Sequence, residues 1–362
     1  MDVIIYLGIS QSFFAAILML TKKSSLDADK LLTAWLFLLG IEFTSCAFDL
    51  FFFESSLLSS VFLLINPAFF LYIKSLTTND FKLKYIQLLH LLPFLAFELT
   101  TYFVQESFSP NFLSPAYPHF WFSISFSAIN VLSLLFYNIY SVVLVRKHRI
   151  NLRNEFSTIE SYKEIAWLLF VLIFYILYGA TAFLFGILAI NFTFLQELPS
   201  IFTYSVMLSL AYILGFYGLR QKAIYEKTPI DFNNELVADT RYKSSTLKKE
   251  DIHQIRKMIY GYFDSNQPYL NPDFNMTALS DSIQIPKHHI TQVLNMEIGQ
   301  NFFSFVNQYR VKAVKIMLED MSNPYSIEAI GYDCGFNSKS SFFTVFKSIT
   351  GLTPLQYKST IH

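Results

Sequence analysis

Nine polar side chains near the C-terminus have types and spacings suited to hydrogen bonding with bases and phosphates. The first four project from one helical face at i, i+1, i+4 and i+5, namely Lys287, His288, Thr291 and Gln292. The other five begin a second short stretch, at Lys339, Ser340, Ser341, Thr344 and Lys347. An amide can pair bidentately with adenine, and an ammonium can bind guanine or phosphate. The alternative is that these residues only solvate an exposed helical face.

Each polar group lies on a short helix that follows another short helix. The helix before the first group has an apolar face formed by Ala278, Leu279 and Ile283. After a brief turn at residues 284–285, the helix carrying the polar group has an apolar face formed by Ile290, Val293 and Leu294. Pro286 suits the first turn of this second helix, where no backbone donor is needed. Two short helices joined by a tight turn predict a helix-turn-helix.

The same apolar pattern recurs about 51 residues later. Its second copy consists of Ala329, Ile330, Cys334, Phe342, Val345 and Phe346. Between the copies, a run with 3–4 spacing predicts a helix of roughly five turns, with an apolar face at Phe302, Phe305, Val306, Tyr309, Ala313, Ile316 and Met317. Such a helix would hold two motifs at a fixed separation, although a plain helical bundle could also produce this repeat.

Three segments resemble the AraC/XylS family of bacterial transcription regulators. "GFNSKSSFFTVFKSITGLTPLQY" (335–357) is similar to the family's C-terminal signature, and "FVNQYRVKAVKIML" (305–318) to its linker helix. "LSDSIQIPKHHITQVLNMEIGQNFFSFVNQYR" (279–310) is similar to its first motif. The resemblance covers about 110 residues. It implies two helix-turn-helix units joined by a long helix, with the nine polar residues above as DNA contacts.

Four positions depart from the family's pattern. Ser280 and Gly331 stand where Ala is usual, and both are small enough to preserve close helix packing. Gln284 stands where the first turn usually has Gly, so we expect that turn to be strained or differently shaped. Thr344 stands where many members have an Arg that contacts DNA, which leaves the target sequence open.

The N-terminal 220 residues have a different composition. Hydrophobic residues form 53% of the chain, charged residues 15%, and mean hydropathy is +0.39, outside the range of ordinary soluble domains. Seven apolar stretches predict membrane-spanning helices, at residues 3–20, 31–53, 57–73, 86–104, 120–145, 165–190 and 198–219. The alternative is a large soluble protein with buried helices, but buried helices rarely come as seven consecutive apolar runs.

The basic residues alternate between successive connections. All 14 Lys and Arg of residues 1–227 lie in the first, third and fifth connections and after the seventh stretch. The intervening connections contain Glu54, Glu106 and Glu197 and no Lys or Arg. Because basic loops stay in the cytoplasm, this predicts an N-terminus outside and a cytoplasmic C-terminal domain in a bacterial inner membrane.

Three carboxylates lie within the predicted spans, and each is a candidate for a signal site. They are Glu42, Asp49 and Glu98. An ionisable group in hydrocarbon is costly and therefore often functional. The alternative is that Asp49 and Glu98 reach the outer interface and are merely solvated.

Residues 221–249 read as a cytoplasmic linker, because charge rises, apolar runs stop and Pro229 interrupts any long helix. We expect this linker to be the only route by which a membrane signal reaches residues 250–362 in cis.

The sequence therefore predicts an all-α protein, a seven-helix transmembrane bundle followed by a cytoplasmic domain of two helix-turn-helix motifs. The predicted function is a membrane-embedded, sequence-specific transcription regulator that senses a signal. The alternative is a membrane receptor or transporter whose soluble domain does not bind DNA. No enzyme signature, cofactor or metal site is predicted. Expected partners are double-stranded DNA, the lipid bilayer, an unidentified small-molecule or membrane signal, a second copy of the chain, and RNA polymerase if the protein activates.

Overall fold

A computed structural model describes residues 1–22, 27–52, 60–78, 81–104, 120–158, 160–192, 198–220, 247–320 and 322–361. The described chain forms fourteen α-helices and no strand, which confirms the all-α prediction. It divides into two compact units, residues 1–146 with 167–232, and residues 147–166 with 233–362.

The first unit contains the seven apolar helices. They are α1 Asp2–Leu20, α2 Asp27–Phe52, α3 Phe62–Thr77, α4 Leu92–Val104, α5 Phe120–Glu155, α6 Glu160–Asn191 and α7 Leu198–Arg220. A 3₁₀ helix, Tyr85–Leu91, precedes α4 directly. Six segments are long and apolar enough to cross a membrane, whereas α3 has only 16 residues. Among the described residues, six of the seven predicted spans are therefore long and apolar enough to cross a membrane, and α3 is shorter.

The first unit buries small residues at helix contacts and exposes large apolar ones. Helix α1 packs against α2 and α7, and α2 also packs against α3. A Cβ on Gly8 would come within 2.3 Å of the Phe43 ring, so glycine allows this close approach of α1 to α2. Away from these contacts, large apolar side chains such as Val3 and Tyr102 are 71% and 78% exposed. Apolar exposure of this kind is unfavourable in water.

The fifth connection is largely helical. Helix α5 continues past the predicted span to Glu155, and α6 begins at Glu160, before the next predicted span. The five basic residues of this stretch interrupt the apolar pattern without interrupting the helix. Lys and Arg are good helix formers.

The second unit contains the seven C-terminal helices. They are α8 Lys249–Asn266, α9 Met276–Ile283, α10 Lys287–Gln292, α11 Phe302–Glu319, α12 Ile327–Asp333, α13 Lys339–Thr350 and α14 Pro354–Ile361. The predicted five-turn helix is α11, whose 18 residues serve two hydrophobic clusters. Its first half contributes Phe302, Phe305 and Val306 to one cluster. Its second half contributes Val311, Val314 and Leu318 to the other. One rigid helix thus supports both motifs.

Residues 147–158 also belong to the second unit, where Phe156 forms an isolated antiparallel bridge with Asn275. The sequence had suggested that the linker is the only covalent path into this unit. Residues 147–158 provide a second one. Most of that linker, residues 221–246, lies outside the described part of the chain.

Candidate nucleic-acid interface

The first motif comprises α9, a tight turn and α10. The Asn275 side chain caps α9 by accepting a hydrogen bond from the Ala278 N–H at 3.0 Å. Gln284 ends α9 with φ +56°, in the left-handed region that glycine adopts most easily. Its side-chain amide donates to the Asp281 carbonyl at 2.6 Å. The turn is therefore formed in spite of its glutamine, with local strain as expected.

The four predicted contact residues of the first motif differ in exposure. His288 is exposed, and Lys287 is half-buried beside the Glu155 carboxylate at 3.6 Å. Thr291 and Gln292 are only 6% and 7% exposed. A base contact by either of these two would require uncovering the end of α10. After Gln292 the chain continues as a π-helical turn, Val293–Ile298, which the sequence pattern did not indicate.

The second motif comprises α12 and α13. Ser326 and Ser338 cap these helices by accepting hydrogen bonds from the N–H groups of Ala329 and Ser341, each at 3.2 Å. The turn between them contains Gly335 with φ +88°. A Cβ there would lie 2.2 Å from the Tyr269 carbonyl oxygen, so this turn requires glycine.

Gly331 allows the two helices of the second motif to pack closely. An added Cβ would come within 2.5 Å of the Phe342 ring. An alanine at this position would therefore not fit without a shift of that ring. Glycine at position 331 keeps the close helix packing that the sequence predicted for a small residue.

The second motif exposes most of its predicted contact residues. Ser340, Thr344 and Lys347 are exposed on α13. Lys339 is exposed as well and pairs with Glu328 of α12. Ser341 is the exception, being 3% exposed at the capped start of the helix. The apolar partners assigned to the core are all buried, as predicted, at Ile290, Val293, Leu294, Phe342, Val345 and Phe346.

Arg310 lies between the two hydrophobic clusters and is 1% exposed. Its guanidinium donates to the carbonyls of Tyr269 and Asn271 at 2.8 and 3.0 Å. It also donates to the Ser157 carbonyl and hydroxyl at 2.8 and 3.1 Å, and stands 5.8 Å from the Phe336 ring centroid. Burial lowers the pKa of Arg310 to about 10, so the group remains charged at neutral pH. The sequence pattern did not indicate that Arg310 is buried between the two clusters.

The candidate carboxylates of the membrane half have separate surroundings. Glu42 is 8% exposed and accepts a hydrogen bond from the Tyr204 hydroxyl of α7 at 3.3 Å. Glu98 accepts one from the Ser60 N–H at 3.1 Å. The side chain of Asp49 lies outside the described part of the chain.

Residues 279–360 match the family model described as "Helix-turn-helix domain". A protein of Pseudoalteromonas carrageenovora named "Uncharacterized HTH-type transcriptional regulator in cgkA 5'region" is 22% identical over 156 residues, which is 41% of this chain and 89% of that protein. A solved Listeria innocua protein of unknown function aligns over 30% of this chain and 98% of its own, at 22% identity and a TM-score of 0.27. The chain thus carries a helix-turn-helix domain at residues 279–360.

Proposed function

We propose that this protein is a membrane-embedded, sequence-specific transcription regulator of the AraC type, which binds promoter DNA in the cytoplasm. The observation that carries the proposal is the matched domain at residues 279–360. Its two motifs share one helix, and α13 offers an exposed polar face. In DNA-binding helix-turn-helix domains the second helix enters the major groove, and motifs on successive turns lie about 34 Å apart. One domain would then read an asymmetric site of two half-sites.

The exposed apolar surface of the first unit supports membrane embedding. Helices whose outward faces carry valine, phenylalanine and leucine are stable in hydrocarbon, because helices satisfy their own backbone hydrogen bonds there. The alternating basic connections support a cytoplasmic C-terminal domain. Because one helix would suffice for tethering, we propose that the bundle senses a signal, with buried Glu42 as its foremost candidate group.

DNA binding is tested with full-length protein in lipid nanodiscs. DNA fragments cross-linked to the protein in cells would be recovered and used as probes for footprinting. We expect Thr344→Ala with Lys347→Ala to weaken binding roughly tenfold or more, through loss of one base contact and one phosphate contact. Glu319→Gln, on α11 away from both predicted DNA faces, is the control. Recovery of no fragment would favour a receptor or transporter instead.

Membrane topology is tested by cysteine labelling in a background lacking Cys46 and Cys334. A membrane-impermeant maleimide is expected to label Ser109→Cys in intact cells but to label Ile150→Cys only after permeabilisation. Labelling of position 150 from outside would contradict the proposed orientation.

A further inference from the structure

Residues 147–158, named here the docking segment, make specific contacts with the first motif and with α11. The segment comprises the last turns of α5 and the three residues after it. Ser157 is its most deeply anchored polar residue, at 1% exposure. The Ser157 hydroxyl donates to the Phe274 carbonyl at 2.5 Å. Its carbonyl accepts hydrogen bonds from the Asn307 amide at 3.0 Å and from the Arg310 guanidinium at 2.8 Å.

These contacts connect the residues just before α9 with α11, the helix that supports the first motif. Phe274 and Asn275 directly precede α9, and Asn275 is both its cap and the bridge partner of Phe156. Asn307 and Arg310 lie on α11. Ser157 therefore supplies acceptors for a buried cation, and a buried donor that loses its acceptor is costly. This makes the contact specific for this segment.

The docking segment also places an anion beside a predicted DNA contact. The Glu155 carboxylate lies 3.6 Å from the Lys287 ammonium, and the two side chains are 16% and 31% exposed. Lys287 is the first residue of α10, where the sequence predicts a phosphate contact. A carboxylate in this position pairs with the ammonium that the sequence predicts to bind phosphate. Thr291 and Gln292, one turn later, are buried in the same state.

We propose that the docking segment is an intramolecular clamp that withholds the first motif from DNA while the second motif stays available. The inference rests on the proposed function. The clamp holds Lys287 through Glu155 and holds the start of α9 through Phe156 and Ser157. Full binding to two half-sites requires its release. Helix α5 is continuous from Phe120 to Glu155. A movement of the apolar part of this helix would therefore also move Glu155, which belongs to the clamp.

The first test removes the anion of the clamp. Full-length Glu155→Gln in nanodiscs is expected to bind the recovered DNA fragment about two- to fivefold more tightly, the effect of losing one partly exposed ion pair. Glu297→Gln is the matched control, because Glu297 pairs with Arg256 on the same domain and its loss changes the charge equally. An equal gain in both variants would indicate general electrostatics and overturn the clamp.

The second test locks the clamp. Antiparallel bridge partners are close enough for a disulfide, so Phe156→Cys with Asn275→Cys is introduced in a background lacking Cys46 and Cys334. After oxidation with diamide we expect protection of one half-site and roughly fivefold or more weaker binding. Reduction with dithiothreitol should restore both half-sites. Protection of both half-sites in the locked protein overturns the clamp but leaves the regulator intact. Absence of DNA binding in every form, wild type included, overturns the proposed function and the clamp with it.

Discussion

The first motif buries Thr291 and Gln292, whereas the second exposes Ser340, Thr344 and Lys347. Both motifs have the same helix order and the same apolar pattern, and both rest on α11. They differ in that the docking segment contacts the first motif through the Glu155–Lys287 ion pair and the Phe156–Asn275 bridge. The comparison teaches that a repeated motif can carry two roles in one domain. In the proposed clamp, the second copy is available to DNA, and the first becomes available only when the docking segment is released.

The largest expected effect comes from replacing Arg310, which lies between the hydrophobic clusters of the two motifs. Arg310→Met should destabilise the second unit by roughly 3–5 kcal/mol, because four acceptors in the interior lose a charged donor. Thermal unfolding measures the loss of stability, and hydrogen exchange of α9 and α13 measures the loss of protection in each motif. Lys312→Met, at an exposed position of the same helix, should leave stability within about 0.5 kcal/mol. Loss of protection in only one motif would show that Arg310 does not stabilise both motifs.

A conditional effect is expected for the buried residue of the first motif. Gln292→Ala should weaken DNA binding by about 1–3 kcal/mol in the Glu155→Gln background, where the weakened clamp is proposed to let the amide reach a base. In the disulfide-locked protein the same substitution should have little effect on DNA affinity. Lys347→Ala should weaken binding in both states and flatten its salt dependence. Equal effects of Gln292→Ala in both states would remove the distinction between the motifs.

A smaller effect on stability is expected at Gly331 in the second motif, and Gly261 serves as its control. Gly331→Ala should destabilise by about 1–3 kcal/mol through the approach to Phe342, partly offset by the better helix propensity of alanine. Gly261→Ala, in α8 with no atom near its added Cβ, should stabilise by up to about 1 kcal/mol. Melting temperatures of the two variants should therefore move in opposite directions. A gain for both would show that the Phe342 ring yields freely.

The smallest effect concerns the turn of the first motif. Gln284→Gly should relieve the left-handed conformation, for a net gain of at most about 1 kcal/mol, because the unfolded chain also gains freedom. Denaturant unfolding of the full chain in detergent measures this gain. Gln300→Gly, outside the left-handed region, should give none. A loss of stability at position 284 would mean that the amide bond to Asp281 outweighs the backbone strain.

The sequence predicted those features that are determined by residues close together in the chain. Apolar spacing located α9, α10, α12 and α13, and the long run between them located α11. Gln284 was correctly expected to strain its turn. The docking of Ser157 could not be predicted, because its partners lie 117 to 153 residues away and a serine after a basic helix has no distinctive pattern. The burial of Gln292 escaped prediction because the π-helical turn after it changes the helical period.

The long sequence separation of the Ser157 contacts has a consequence for biosynthesis. The docking segment leaves the ribosome more than a hundred residues before its partners at Phe274 and Arg310. At about 5–20 residues per second, it is present for many seconds before α11 is complete. Under the proposed clamp, the newly made domain would fold with the docking segment already present, and its first motif would be withheld from DNA from the start. Gene activity would then report release events and not the rate at which the protein is made.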